Sequence, residues 1–135
     1  MARKGASDSA RILLVEDDPA ISSLMSTVIA DMGLPVDTAS SGPAALELAA
    51  RNRPAMVVLD LGLPDMYGKT VAGHLKLRYP DLPVMIVSAL SSSAVAEDAW
   101  EVGAFTYITK PFELDAFIAA VRQGLELAKE ADGSS

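Results

Sequence analysis

Residues 12–19 read Ile12-Leu13-Leu14-Val15-Glu16-Asp17-Asp18-Pro19, an apolar run that ends abruptly in three acids and a proline. A continuous apolar, β-prone run is typical of a strand that is buried on both faces. Asp18 followed by Pro19 is typical of a helix start, because aspartate caps the first turn and proline fits the first helical position. The stretch therefore predicts a buried strand, an acidic loop and a helix capped by Asp18.

The same alternation of strand and helix patterns recurs along the chain. Further apolar runs predict strands at 36–39, 56–59, 84–87 and 105–108. Patterns with helical spacing predict helices over about 18–33, 41–52, 70–78, 93–102 and 114–125. Parallel strands need such crossovers, and five units are too few for an eight-unit barrel. The predicted fold class is α/β, with five βα units forming a doubly wound, five-stranded parallel sheet.

The composition is acidic and contains no cysteine. Among 135 residues, 11 Lys+Arg face 18 Asp+Glu, which gives a formal net charge of −7. This balance argues against direct binding of nucleic acid, which needs a basic face, and against docking on an anionic membrane. The absence of cysteine excludes disulfides, thiolate metal sites and cysteine nucleophiles. Without an apolar run of membrane-span length or a signal-peptide core, we expect a cytoplasmic protein.

The length predicts a single domain. Residues 1–10 and 129–135 are rich in small and polar side chains. We expect the first segment to be a disordered lead-in and the second a disordered tail or linker. The folded domain is therefore predicted to span residues 11–128.

Reactive side chains directly follow four of the five predicted strands. Glu16 and Asp17 follow the first strand, Asp60 the third, Ser88 the fourth and Lys110 the fifth. Each has a simple explanation by itself, such as a solvated loop, a turn or a surface charge. Ligand sites in open α/β sheets, however, lie beyond the carboxyl ends of the strands. We therefore expect these five side chains to form one site.

The charges of this predicted site indicate a divalent cation and a phosphoryl group. Three acids against Lys110 leave an excess of negative charge that one divalent cation would neutralise. Ligands that are all oxygen, with room for water, favour Mg²⁺. A carboxylate beside Mg²⁺ and an ammonium group can attack phosphorus, while the cation, Lys110 and the Ser88 hydroxyl each take one phosphoryl oxygen. The residues alone indicate a metal-assisted aspartyl-phosphate site on Asp60.

Four blocks of the sequence carry a resemblance to a known family. They lie at residues 12–19, 57–68, 83–89 and 103–112 and read ILLVEDDP, VVLDLGLPDMYG, PVMIVSA and GAFTYITKPF. In order and spacing they resemble the receiver domain of response regulators, the CheY-like family of two-component signalling. The resemblance covers about residues 10–128. It implies a flavodoxin-like, CheY-like fold and a cis peptide bond between Lys110 and Pro111.

The resemblance also implies roles for the metal-binding residues. Glu16 and Asp17 resemble the acidic pair of the family, with Asp17 as the direct Mg²⁺ ligand and Glu16 acting through water. Asp60 resembles the phosphoacceptor and would share the ion. Gly62 lies two residues later, where the family supplies a backbone carbonyl to the metal.

Three further residues resemble the switch machinery of the family. Lys110 matches the lysine that contacts the phosphoryl group, Ser88 matches the switch hydroxyl, and Tyr107 matches the switch aromatic. The implied function is a phosphorelay receiver in which Asp60 accepts a phosphoryl group from a sensor histidine kinase or a histidine phosphotransfer protein. The change would alter the helix–strand–helix face at about 93–127 for a downstream protein partner, and a dimer linked to phosphorylation is a further expectation. Apart from its own phosphorylation and dephosphorylation, no enzymatic reaction on a separate substrate is expected.

Other functions remain as alternatives. The main one is a protein-interaction module with a receiver fold that works without phosphorylation. An aspartyl-phosphate hydrolase would need a second aspartate where the chain has Gly62, and an FMN carrier would need a first loop that is not acidic. Outside the site, Arg51 and Arg53 are interpreted as solubilising charge. His74 is interpreted as a helix-surface or half-buried residue.

Overall fold

The computed structural model describes residues 10–63, 68–89, 97, 99 and 101–133. Five parallel strands form one sheet in the order β2-β1-β3-β4-β5. The strands are β1 (Ile12–Val15), β2 (Val36–Ala39), β3 (Met56–Leu59), β4 (Val84–Ser88) and β5 (Thr106–Thr109). In the described part of the chain, the helices are α1 (Pro19–Asp31), α2 (Gly42–Arg51), α3 (Gly68–Arg78) and α4 (Leu114–Gly133). The predicted α/β fold, doubly wound and with five parallel strands, is confirmed.

The core consists of two layers, one on each face of the sheet. Successive side chains of a strand point to opposite faces, and β1 divides its residues accordingly. Leu13 and Val15 pack in the layer that contains residues of α2 and α3. Ile12 and Leu14 pack in the layer that contains residues of α1 and α4. Burial on both faces is the reason that β1 reads as a continuous apolar run rather than an alternating one.

The start of α1 follows the prediction made from Asp18 and Pro19. The Asp18 carboxylate accepts hydrogen bonds from the backbone N–H groups of Ala20 and Ile21, at 2.9 and 3.3 Å. Asp18 is therefore the N-cap of α1, and Pro19 occupies the first helical position. This cap fixes the direction in which the chain leaves β1, and with it the position of the acidic loop.

Several boundaries differ from the prediction. The helix α3 begins at Gly68 rather than at residue 70, and β5 covers 106–109 rather than 105–108. The predicted boundary of the disordered tail, at residue 129, was too early, because α4 continues through Gly133. Lys129, Glu130 and Ala131 are good helix formers, so the helix propagates beyond its last core contact.

The predicted helix at 93–102 falls largely outside the described residues. Residues 97, 99 and 101 are helical, whereas 93–96, 98 and 100 are not described. In the described part of the chain, no helix combines the length and apolar character that crossing a membrane requires.

Candidate functional site

The sheet register brings Glu16 and Asp60 to adjacent strand ends. Val15 and Leu59 are direct partners in the β1–β3 ladder, so the residues that follow them lie side by side. The Asp60 N–H donates to the Val15 carbonyl at 3.1 Å, which extends the ladder by one bond into the site. The predicted convergence of these two acids is therefore a consequence of strand pairing.

Strand pairing on the other side of the site positions Lys110. Ser88 pairs with Thr109 at the end of the β4–β5 ladder. The Lys110 N–H then donates to the Ser88 carbonyl at 2.9 Å. The next peptide bond, Lys110–Pro111, is cis, as the family resemblance implied.

The side chain of Lys110 bridges two carboxylates. Its Nζ lies 2.7 Å from Glu16 Oε1 and 3.0 Å from Asp60 Oδ2. Burial by itself lowers the pKa of this ammonium group, but hydrogen bonds and charges from Glu16 and Asp60 outweigh it and raise the pKa. Lys110 is therefore held as a cation between the two acids.

The carboxylate of Asp60 has a fixed orientation. Oδ1 accepts a hydrogen bond from the Gly62 N–H at 2.9 Å, and Oδ2 accepts one from Lys110. The residue is only 7% exposed. One donor on each oxygen fixes the plane of the group. Gly62 thus contributes its N–H to the site, while the metal-binding role of its carbonyl stays a prediction.

Glu16 is the most deeply buried acid of the site. Its Oε2 accepts a hydrogen bond from the Asp18 N–H at 3.1 Å. Its Oε1 is buried and lies 2.7 Å from the Lys110 ammonium, which is its ion-pair partner. Burial raises the pKa of the Glu16 carboxyl, and Lys110 opposes that shift. A buried carboxylate oxygen of this kind has capacity for a further cation.

The acidic group meets the requirements of a hard cation. Carboxylate oxygens of Glu16, Asp17 and Asp60 all lie within 4.8 Å of one another. Glu16 and Asp60 are buried, whereas Asp17 is exposed, so the group opens to solvent on the Asp17 side. A donor set that contains only oxygen and one open side suits Mg²⁺, which keeps several of its waters. The residues present therefore fit a magnesium ion.

Ser88 lies on β4, and Tyr107 lies on β5, the strand that directly precedes Lys110. Ser88 is fully buried at the end of β4. Tyr107 pairs with Ile86 in the β4–β5 ladder and packs, half-buried, in the layer that contains α2 and α3. Burial raises the pKa of the Tyr107 hydroxyl. The predicted site residues other than Tyr107, which lies within β5, are at or next to the carboxyl ends of the strands.

One residue that the sequence reasoning missed is Gly68. A methyl group on its Cα would lie 2.5 Å from the Leu61 Cα and 2.6 Å from the Asp60 carbonyl oxygen. The Gly68 N–H also donates to the Leu61 carbonyl at 3.1 Å. The start of α3 therefore packs directly against the backbone that carries Asp60. Only the position of this glycine, shortly after a strand-end aspartate, signals the close approach.

Comparison with known proteins identifies the family. The family model described as the response regulator receiver domain matches residues 12–122. The chain belongs to this family. Within it, the receiver domain is 40% identical over 111 residues to the transcriptional regulatory protein KdpE of Mycobacterium tuberculosis, covering 82% of this chain and 49% of KdpE.

Other similarities agree with this assignment. The receiver domain is 33% identical over 119 residues to the DNA-binding transcriptional regulator NtrC of Escherichia coli, covering 88% of this chain and 25% of NtrC. The solved structure of the non-phosphorylated HemR receiver domain from Leptospira biflexa is 31% identical, with a TM-score of 0.80 over 85% of this chain and 93% of that chain. The chain therefore spans half or less of these curated relatives, and matches nearly the whole of an isolated receiver domain.

Proposed function

We propose that this receiver domain is a phosphorylation switch in which Asp60 accepts a phosphoryl group from a phosphohistidine. The observation that carries the proposal is the Glu16–Lys110–Asp60 arrangement: a fixed carboxylate with a cation on one oxygen, beside two further acids. The phosphohistidine would belong to a sensor histidine kinase or a histidine phosphotransfer protein. We place the reaction in the cytoplasm.

In the proposed transfer, an oxygen of Asp60 forms a bond to phosphorus while the bond between phosphorus and the histidine nitrogen breaks. The electron pair of the broken bond stays on the imidazole nitrogen. The imidazole takes up a proton from solvent and leaves as a neutral group. The fixed plane of the Asp60 carboxylate reduces the reorganisation needed for in-line attack. The reaction consumes no separate substrate, so we propose no further enzymatic activity.

The charge of the incoming group is the main barrier to this transfer. The acids of the site repel a phosphoryl group, and Lys110 supplies only one positive charge against them. When bound, Mg²⁺ would supply the remaining positive charge; Glu16, Asp17 and Asp60 would hold it, together with the Gly62 carbonyl. Lys110 would then donate to one phosphoryl oxygen and the Ser88 hydroxyl to another.

The proposed output of the switch follows from the position of these donors. Phosphorylation adds charge and acceptor oxygens at the strand ends. Ser88 and Lys110 move toward those oxygens. Tyr107, which lies on β5 shortly before Lys110, then repacks. The face at about 93–127 then changes for a downstream protein partner or a second copy of the chain. Such a change biases an existing equilibrium between two conformations.

The decisive experiment is phosphorylation of the purified chain with acetyl phosphate, with and without Mg²⁺. We expect a mass increase of one phosphoryl group in the wild type that needs Mg²⁺ and is removed by hydroxylamine. The Asp60→Asn variant keeps the shape of the side chain and should remain unmodified. The matched control is Asp37→Asn, which removes an acid on β2, away from the site.

Each outcome of this experiment has a clear meaning. Modification of wild type and Asp37→Asn, but not of Asp60→Asn, supports the proposal. If the folded wild type takes no phosphoryl group at any Mg²⁺ concentration, the proposal is overturned in favour of an interaction module that works without phosphorylation. Modification that persists in Asp60→Asn would assign the acceptor to another residue.

A further inference from the structure

A cationic and aromatic surface lies at the end of the sheet opposite to the acidic site. Arg53 lies in the loop before β3, and Tyr79 directly follows the end of α3. Because all strands are parallel, these positions lie near the amino ends of the strands, whereas Asp60 lies at a carboxyl end. The sequence prediction of Arg53 as a solubilising charge does not account for the contacts that this residue makes.

Two guanidinium groups lie on one aromatic ring. The Cζ atoms of Arg53 and Arg78 lie 5.1 and 5.7 Å from the centroid of the Tyr79 ring. The Arg78 Nε also donates to the Tyr79 hydroxyl at 3.2 Å. The hydroxyl in turn donates to the Ala49 carbonyl at 2.9 Å, which ties the end of α3 to α2. The ring is therefore tied to α2, and both cationic groups lie within 6 Å of its centre.

These two charges are not neutralised within the described part of the chain. Arg53 and Arg78 are both exposed, and no ion pair between described residues includes either of them. The acid Glu47 on α2 pairs with Arg51 at 2.8 Å. Like charges on one ring repel each other, so an anion placed between them would be stabilised by both.

An apolar groove adjoins the arginines. It lies between α2 and α3, and its lining is Leu46, Ala49, His74, Leu75, Leu77 and Arg78. Leu77 is 83% exposed, a high value for a large apolar side chain. A single exposed leucine needs no explanation. An exposed leucine lies beside a groove and two guanidinium groups that form no ion pair with a described residue. This is the composition of an interaction surface, which has an apolar and arginine-rich centre.

We propose that Arg53, Leu77, Arg78 and Tyr79, which we call the Arg–Tyr surface, bind an acidic peptide segment of a partner protein. A carboxylate of the segment would lie between the two guanidinium groups, and an apolar side chain next to it would contact Leu77 and enter the groove. This surface differs from the face at 93–127 proposed as the output of the switch.

Charge complementarity favours a short acidic peptide over other anions. The whole chain carries a net charge of −7, which repels a long polyanion such as nucleic acid and also a second copy of the chain. A short segment senses mainly the charges within about 8 Å at physiological salt, and the two guanidinium groups on Tyr79 are the charges it would contact. The exposed leucine further favours a ligand with an apolar side chain, which nucleic acid lacks.

The test uses a fluorescein-labelled peptide of glutamate and aspartate with one central leucine, titrated with the full chain and followed by fluorescence anisotropy. We expect saturable binding that weakens with salt. The double variant Arg53→Gln/Arg78→Gln should bind about tenfold more weakly, since it loses two exposed ion pairs. Arg122→Gln removes one exposed arginine from α4 and should bind like the wild type.

Further experiments measure the contribution of Leu77 to peptide binding and test other occupants of the surface. Leu77→Ser should weaken binding at every salt concentration, and a peptide with lysine in place of the acids should not bind. Thermal unfolding verifies that each variant is folded. The proposal is overturned by an absence of saturable binding, by undiminished binding to the double variant, or by tighter binding of a single-stranded oligonucleotide to this surface. Dimerisation of the wild type that is lost in the double variant would also overturn it, in favour of a second copy as the occupant.

Discussion

Glu16 combines almost complete burial with a charge. Its side chain is 1% exposed, and its counter-charge, Lys110, is shared with Asp60. Burial raises the pKa of Glu16 from its ordinary value of 4.5. Between pH 4.5 and the raised pKa, the folded protein therefore binds more protons at Glu16 than the unfolded chain does. The protonated form of Glu16 stabilises the fold fully below pH 4.5, and this stabilisation is lost as the pH rises through the raised pKa.

Replacing Glu16 by Gln should remove this pH dependence. In metal-free solution we expect the free energy of unfolding of Glu16→Gln to increase relative to that of the wild type as pH rises from 4.5 toward neutrality. Urea unfolding in EDTA at several pH values measures the difference. Glu130→Gln, which removes an exposed acid from α4, is the control and should show no such trend. A difference that shrinks with rising pH would contradict the interpretation of Glu16.

The neighbouring acids Asp17 and Asp18 offer a matched pair for testing the metal site. Asp17 is one of the three acids that could hold the ion, whereas Asp18 caps α1. Mg²⁺ at about a hundred times its Kd should stabilise the wild type by about 2.7 kcal/mol. Asp17→Asn should bind Mg²⁺ on the order of tenfold more weakly, because a ligand charge is lost.

The control is Asp18→Asn, because asparagine caps helices about as well as aspartate. This variant removes the same charge one residue away and should keep most of the Mg²⁺-dependent rise in Tm. Thermal unfolding at increasing Mg²⁺ concentration compares the three proteins. Equal loss of the Mg²⁺ effect in both variants would mean that only the general negative charge of the loop matters.

At the scale of elements, the two glycines of α3 differ in how closely other atoms approach them. A Cβ on Gly68 would meet backbone atoms of residues 60 and 61, which cannot rotate away. A Cβ on Gly73, in the middle of the same helix, would meet nothing within 4 Å. We therefore predict opposite effects on stability for alanine at Gly68 and alanine at Gly73.

Gly68→Ala should destabilise the domain by about 1–3 kcal/mol, because α3 must move away from the strand end. The same movement should slow phosphorylation by acetyl phosphate, since it disturbs the backbone of Asp60. Gly73→Ala should instead stabilise the domain by about 0.5–1 kcal/mol through the higher helix propensity of alanine. Urea unfolding and the rate of phosphorylation measure both effects. A neutral Gly68→Ala would show that the packing relaxes without cost.

The elements differed in how well the sequence predicted them. Apolar runs such as 12–15 and 56–59 predicted their strands to the residue, because burial on both faces leaves a strong pattern. The end of α4 lies eight residues beyond the end of the predicted helix, since the last turns carry no apolar periodicity. The start of α3 was missed because its packing depends on the absence of a side chain at Gly68, which no periodicity records.

The site was predictable to a similar extent. Strand ends and residue chemistry indicated which side chains converge, and the structure brings Glu16, Asp60 and Lys110 into contact. The sequence did not indicate that Lys110 bridges both acids or that Glu16 is more deeply buried than Asp60. Nor did it reveal the contacts of Arg53 and Arg78 with Tyr79, because that cluster joins a loop to the end of a helix, and the two share no sequence pattern. These features depend on three-dimensional distances alone.

At the scale of the whole molecule, the charges are separated along the strand direction. The three acids lie at the carboxyl ends of the strands and the Arg–Tyr surface lies near the amino ends. A four-residue strand such as β3 extends about 13 Å, which exceeds the range over which substitutions usually couple. The two ends should therefore behave as independent sites.

This independence predicts that the two sets of variants do not affect each other. Asp60→Asn should bind the acidic peptide like the wild type, and Arg53→Gln/Arg78→Gln should take a phosphoryl group from acetyl phosphate at the wild-type rate. The combined variant should show the sum of the separate effects within about 0.5 kcal/mol. Anisotropy titrations and phosphorylation rates on the same preparations provide the comparison. A clear departure from the sum would reveal coupling through the sheet.

The sheet order also sets how stiffly each half of the site is anchored. Asp60 follows β3, which has a hydrogen-bonded neighbour on both sides, whereas Lys110 follows β5, an edge strand bonded only to β4. A force between the two side chains therefore displaces the edge strand rather than the central one. We therefore expect Lys110 to move more readily than Asp60. We expect the amides of β5 to exchange with solvent faster than those of β3, and to respond most when the charge on Asp60 changes.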